Sequence, residues 1–205
     1  MKARDKVENY GNQETFDEIK ALKKKIDGVC RVHRFTQLDA FFVRWRKFFT
    51  NEDYCLEKSA RILDFGCASG FSIFTGRKCG FNNIYGLDVK TKFYDLMIKH
   101  VIELIGIKDN IIFYKGYGKL PFEDDCFDII VAVDAIGKDS TCTDEGGLMQ
   151  SKGRLNRRIK ELVKISKKHA KWYLRPHGDV KMIKYKFEEL GLSKNIELRY
   201  LREMA

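Results

Sequence analysis

One stretch constrains this chain more than any other: Arg61-Ile-Leu-Asp-Phe-Gly-Cys-Ala-Ser-Gly-Phe71. Ile62 to Phe65 is a short apolar run broken by one acid, as in a parallel strand buried on both faces. Gly66 to Gly70 holds only small residues and reads as a tight turn. From Phe71 the chain can be helical to about Arg77. A strand that enters such a turn and then a helix N-terminus makes a crevice suited to a nucleotide. Small side chains let backbone approach a ligand, and the first helical turn offers unpaired N–H groups.

The pattern resembles the first motif of class I S-adenosylmethionine-dependent methyltransferases, acid-x-Gly-x-Gly-x-Gly. Asp64, Gly66 and Gly70 match it, and Ala68 stands at the middle glycine, a change that adds only a methyl group. The competing dinucleotide fingerprint, G-x-G-x-x-G, would need glycines at Ala68 and Phe71 and fails at both. The resemblance assigns Asp64, Gly66, Cys67, Ala68, Ser69 and Gly70 to cofactor binding.

Beyond the turn the succession of elements is regular. Asn83 to Asp88 reads as a second strand ending in an acid, and 91–105 as a helix. Asn110 to Tyr114 is a third strand, and Ile129 to Val133 a fourth, nearly all β-branched. A basic helix is expected over 152–168, a fifth strand over Lys171 to Arg175, a helix over 180–190 and a sixth strand over 195–201. Strands alternating with helices predict an α/β fold with ligands at the carboxyl ends of the strands. The resemblance makes it Rossmann-like, a mostly parallel sheet flanked by helices. That family's sheet usually ends in a hairpin with a seventh strand, whereas this sequence supplies six.

Asp88, with Val89 beside it, stands where the family's ribose-binding acid stands. A vicinal diol offers two donors, and one carboxylate takes both. Leu120-Pro-Phe122, followed by Phe127-Asp128 and an apolar strand, resembles a second family loop. Relatives place an acid shortly before it to bind the adenine amino group. Here that region is Gly116, Tyr117 and Gly118, so backbone at Gly116 and Tyr117 would hold the adenine edge, with Tyr117 stacked on it.

Candidates for chemistry are fewer. Asp134 ends the predicted fourth strand and reads equally as a catalytic group, one that binds the methionine end of the donor, orients an acceptor or acts as general base, and as a turn residue. His177 follows the fifth strand and titrates near neutrality, making it a candidate base beside Arg175 as an anion holder. Methyl transfer from a sulfonium rests mainly on alignment, so a base is not required. The signature Asn/Asp-Pro-Pro-Tyr is absent at Asp134-Ala-Ile-Gly137, which argues against adenine-N6 or glutamine transfer.

Charge is lopsided. The net charge is +10, and residues 151–205 carry 16 Lys/Arg against 6 Asp/Glu. Such a basic quarter suits an anionic acceptor or partner, or is simply a solvated surface. Six scattered cysteines without a C-x-x-C pair point to reduced thiols, with neither a disulfide frame nor a metal site. No apolar run approaches a membrane span and the N-terminus lacks a signal-peptide core, so a cytoplasmic location is expected.

Ahead of the first strand, Thr15-Phe-Asp-Glu18 reads as a capping box, with Lys23 to Lys25 near the helix end and Asp27-Gly28 closing it. Leu38, Phe41, Phe42, Trp45, Phe48 and Phe49 form an aromatic stripe at helical spacing. It either packs against the sheet or its helices, or roofs an acceptor pocket. The organisation expected is a helical extension or lid over 1–58 and a cofactor-binding domain over 59–205. The function implied is S-adenosylmethionine-dependent methyl transfer, to a small molecule more than to nucleic acid, with a homo-oligomer compatible. Alternatives are a non-catalytic S-adenosylmethionine-binding partner subunit, an RNA methyltransferase, an aminopropyl transferase and a nucleotide-dependent oxidoreductase.

Overall fold

A computed structural model describes residues 8–29, 37–89, 98–114, 119–137, 152–177, 180–191 and 196–201. The chain divides into two compact units: 1–58 with 68–82 and 92–111, and 59–67 with 83–91 and 112–205. The boundary passes through the small-residue turn, between Cys67 and Ala68.

The second unit is built on the strands β1 (Ile62–Phe65), β2 (Ile84–Val89), β3 (Ile111–Tyr114), β4 (Phe127–Gly137), β5 (Ser166–His177) and β6 (Ile196–Tyr200). They form one six-stranded sheet in the order β3-β2-β1-β4-β5-β6. β1 pairs in parallel with β2 and β4, and β5 in parallel with β4 and β6. Every residue of β1 is buried, because strands lie on both of its sides and neither face meets water. No seventh strand occurs among the described residues, and β6 pairs directly with β5. Leu63, Phe65, Leu87, Ile130 and Trp172 form the sheet's core with Ile159, Leu162 and Phe187 from the helices that precede and follow β5. Trp172 meets Phe187 edge to face at 5.2 Å. At the amino end, the Arg61 guanidinium lies 5.2 Å from the Tyr85 ring and 5.1 Å from that of Phe127. The Arg61 N–H donates to Asp128 at 2.8 Å.

Two strands run longer than their sequence suggests. β4 begins at Phe127 and continues past Val133 to Gly137 through a register shift. β5 begins at Ser166, so the basic helix before it stops at Ile165 and does not reach 168. The Ser166 hydroxyl donates to the Leu162 carbonyl at 2.7 Å, and the Trp172 indole N–H donates to that hydroxyl at 3.2 Å. Helix end and strand start are thus tied to one side chain. His169, with φ of +67°, lies within β5 between Ser166 and Lys171, where the strand's register with β4 shifts.

The first unit is helical. It holds α1 (Gln13–Val29), α2 (Leu38–Phe49), α3 (Phe71–Lys78) and α4 (Lys99–Leu104), the last being the described end of the helix expected over 91–105. The capping box is not formed at Thr15. Asn12 caps instead, its Oδ1 accepting from the Thr15 N–H at 2.8 Å, because Asn satisfies a first-turn donor three residues earlier in the chain. The helix also runs through Asp27-Gly28 to Val29, so Lys23 to Lys25 lie short of its last turn. Lys23 pairs with Asp39 of α2 at 3.0 Å. The aromatic stripe of α2 packs on α3 and the segment after it: Phe41 on Phe71 at 5.6 Å, Phe42 on Phe74 at 6.2 Å and Phe49 on Phe81 at 5.1 Å. Buried aromatic pairs in this range add to area burial. The stripe is therefore core in this unit.

The remaining helices are α5 (Lys152–Ile165) and α6 (Val180–Glu189), both of the second unit.

Candidate functional site

The carboxyl ends of β1 and β2 carry the predicted cofactor residues of the second unit. Asp64 is only 4% exposed, opposite Gly86 on one side and Val131 on the other. The Gly66 and Cys67 N–H groups both point at the Leu87 carbonyl, at 2.7 and 3.4 Å, so the turn is tied to β2. Asp88 is partly buried, and one of its oxygens accepts from the Val89 N–H at 2.6 Å. Val89 itself is buried.

Cys67 reports how these groups lie together. Burial pushes its thiol well up from its ordinary value, and the Asp88 and then the Asp64 carboxylates push it further. Asp64 of β1 and Asp88 of the adjacent β2 thus both lie within electrostatic reach of the start of the turn. Asp88 is the more accessible of them, and a ribose diol needs such an acceptor; on this point the residues fit the nucleoside part of S-adenosylmethionine.

The glycines serve a different purpose from the one their spacing suggests. Gly66 has φ of +81°, and a Cβ there would lie 2.3 Å from the Ala135 Cβ. In the first unit Gly70, with φ of +72°, would bring a Cβ to 2.3 Å from Ile107 Cδ1 and 2.6 Å from Ile111 Cδ1. Both are required by backbone conformation and by close packing against the protein itself. Ala68 is the surprise. It has φ of +47° and is exposed, so alanine at the middle position is a strained choice and not a mild one. Ser69 and Gly70 are buried, and α3 starts directly after Gly70.

Asp134 does not end its strand. It sits inside β4 at the register shift, with φ of +55°, a conformation in which Asp is among the better tolerated residues. Local irregularities of this kind re-aim a side chain. Arg175, opposite Val133 in β5, grips the carboxylate with two nitrogens: Nε donates to Oδ1 at 3.2 Å and Nη2 pairs with Oδ2. His177 is the last residue of β5 and lies opposite Gly137. Gly116 and Tyr117 lie outside the described residues.

Sequence reading missed a pair in the second unit. The Arg158 guanidinium of α5 stands 5.1 Å from the ring centroid of Tyr114, the last residue of β3, and Arg158 is 6% exposed. The Tyr114 hydroxyl is buried and has no hydrogen-bond partner among the described residues. Burial raises its pKa to about 12, with Arg158 opposing and Asp88 adding to the shift. A signal existed: Arg158 falls three residues after Leu155 and four before Leu162, on the apolar face of its helix. Arg157 beside it is exposed.

No protein-family model matches the chain, and no curated protein does. Solved structures do resemble it. An S-adenosylmethionine-dependent methyltransferase from Aquifex aeolicus aligns at 17% identity and a TM-score of 0.46, over 68% of this chain and 76% of that one. A proposed S-adenosyl-L-methionine-dependent methyltransferase from Methanococcus maripaludis aligns at 16% and 0.49, over 82% and 68%. The [4+2]-cyclase SpnF aligns at 19% and 0.44, over 62% of this chain, which spans only 42% of the cyclase. Among the described residues no helix is long and apolar enough to cross a membrane.

Proposed function

We propose that this chain is a class I S-adenosylmethionine-dependent methyltransferase. One observation carries the reading: a turn with the methyltransferase pattern is tied through the Gly66 and Cys67 N–H groups to the Leu87 carbonyl, which brings it beside Asp88 near the end of β2. The sheet order β3-β2-β1-β4-β5-β6 agrees with it, since the order reverses at β1, where ligands of open α/β sheets bind. The domain organisation proposed is a helical extension over 1–58 ahead of the cofactor-binding domain.

When bound, S-adenosylmethionine supplies an electrophilic methyl group on a sulfonium. Asp88 accepts hydrogen bonds from the ribose hydroxyls, the buried Asp64 adds a second negative charge near the start of the turn, and Gly66 to Gly70 hold the turn's path. Gly116 and Tyr117 receive the adenine edge. At the carboxyl ends of β4 and β5, Asp134 and Arg175 bind and orient the acceptor, and His177 takes a proton where the acceptor must lose one. The acceptor is a small molecule, anionic or carried on an anionic partner, drawn by exposed cations such as Arg157 and Lys160.

The test is direct. Ligand co-purifying with the chain is identified by mass spectrometry, and S-adenosylhomocysteine and NAD are titrated calorimetrically. Radiolabelled methyl transfer is then followed into fractionated cell extract. Binding of S-adenosylhomocysteine with label entering a small-molecule fraction supports the proposal. Binding without transfer to any fraction makes the chain a partner subunit, label in RNA makes it an RNA methyltransferase, and preference for NAD ends the methyltransferase reading. Acceptor labelling indifferent to salt and to Arg157→Glu would remove the anionic acceptor.

A further inference from the structure

The end of the sheet at β6 carries an inference independent of the activity. Among the described residues nothing pairs with the outer edge of β6, and such an edge is a template for another strand. One contact sets the phase of that edge. The Leu201 N–H donates to the Leu174 carbonyl at 2.9 Å, so residue 201 turns its backbone groups toward β5. Backbone groups alternate sides along a strand, so 197 and 199 also face β5, while 196, 198 and 200 face outward.

The strand reads Ile196-Glu-Leu-Arg-Tyr200. Its centre, Leu198, is one of the outward residues. Placed antiparallel across a two-fold axis through Leu198, two copies set Leu198 opposite Leu198 as a hydrogen-bonded pair, with Ile196 opposite Tyr200 on each side. Every outward N–H and C=O of the strand then finds a partner. The same register sets Glu197 opposite Arg199, in the non-hydrogen-bonded positions where Cα atoms approach to about 4.5 Å and side chains meet most closely. Within one chain Arg199 Nε already pairs with Glu197 Oε1 at 2.6 Å, with both side chains partly exposed, so the dimer would join two such pairs into an alternating cluster. A shift of the axis to 197 or 199 would keep the same backbone groups paired but set Glu197 opposite Glu197, or Arg199 opposite Arg199, so charge selects the register centred on Leu198. The other end of the sheet offers no such match: β3 is Ile-Ile-Phe-Tyr and carries no charge to set a register.

We infer that β6 is a dimerisation edge, and that its occupant is β6 of a second copy of this chain, antiparallel and centred on Leu198. Symmetry makes the contact self-complementary in hydrogen-bond phase and in charge, as an isologous interface requires.

Sedimentation of the full chain over a wide concentration range, with circular dichroism to follow folding, tests this. Wild type is expected to move from monomer to dimer with rising concentration. Leu198→Pro removes an outward N–H that β5 does not use, so the sheet should survive and the dimer should be lost. Arg199→Glu sets acid opposite acid and should also give monomer, and Glu197→Arg combined with it should restore the dimer. Should Leu198→Pro fail to fold, the charge pair decides alone. A wild type monomeric at every concentration, or a dimer indifferent to charge reversal and to its repair, overturns the proposal.

Discussion

The carboxyl ends of β1 and β2 and those of β4 and β5 are built on opposite terms. At the first, Asp64 and Cys67 are buried, the turn is anchored to the Leu87 carbonyl, and Gly66 cannot carry a side chain without striking Ala135. At the second, Asp134 is exposed, sits in a left-handed conformation within an irregular strand, and is held by a partly exposed ion pair with Arg175. Exposed ion pairs contribute little to stability and exchange readily with water or ligand. A tightly constrained end suits an invariant cofactor, and an adjustable end suits an acceptor that differs from enzyme to enzyme. Under the proposed function the two ends divide the reaction accordingly.

Four substitutions probe that contrast. The largest effect belongs to Gly66→Ala. Overpacking against Ala135 and the left-handed backbone together should cost roughly 3 kcal/mol in a urea melt. A near-neutral result would mean that the turn at β1 is no tighter than the Asp134 region. Asp88→Ala should leave the melt little changed but weaken S-adenosylhomocysteine by about 1.5–3 kcal/mol in calorimetry, the scale of a charged hydrogen bond. Unchanged affinity would remove Asp88 from the ribose site.

Ala68→Gly should raise stability by a few tenths to about 1 kcal/mol, since relief of the left-handed strain exceeds the added chain entropy. A loss on melting would show that the Ala68 methyl group makes a contact worth more than its strain. Smallest in stability is Arg175→Gln, expected to shift the melt by less than about 1 kcal/mol and to leave S-adenosylhomocysteine binding untouched. Under the proposed function it should nevertheless depress methyl transfer. Loss of cofactor affinity in this variant would erase the distinction between the two ends.

Alternating strand and helix patterns made the α/β order legible, because β1 and the first part of β4 are largely apolar runs that suit interior strands. Asp64, Gly66, Gly70 and Asp88 were legible for a related reason: they lie within a few residues of a strand end, where local rules of turn and strand suffice. The far ends of β4 and β5 were not. Asp134 looked like a strand terminus because an acid after an apolar run usually is one, and only the register with β5 carries β4 onward to Gly137. Arg158 belongs to the same basic quarter as Arg157, and only its burial against Tyr114 sets the two apart.

Local chemistry, then, determined the turn, its acids and the succession of elements, since each depends on neighbours within a turn or a strand. Tertiary structure alone decided what the glycines avoid, where β4 and β5 end, that Arg175 holds Asp134, and which backbone groups of β6 face outward. Each of these rests on a contact between residues far apart in the chain, and no local pattern records which distant partner a side chain will meet.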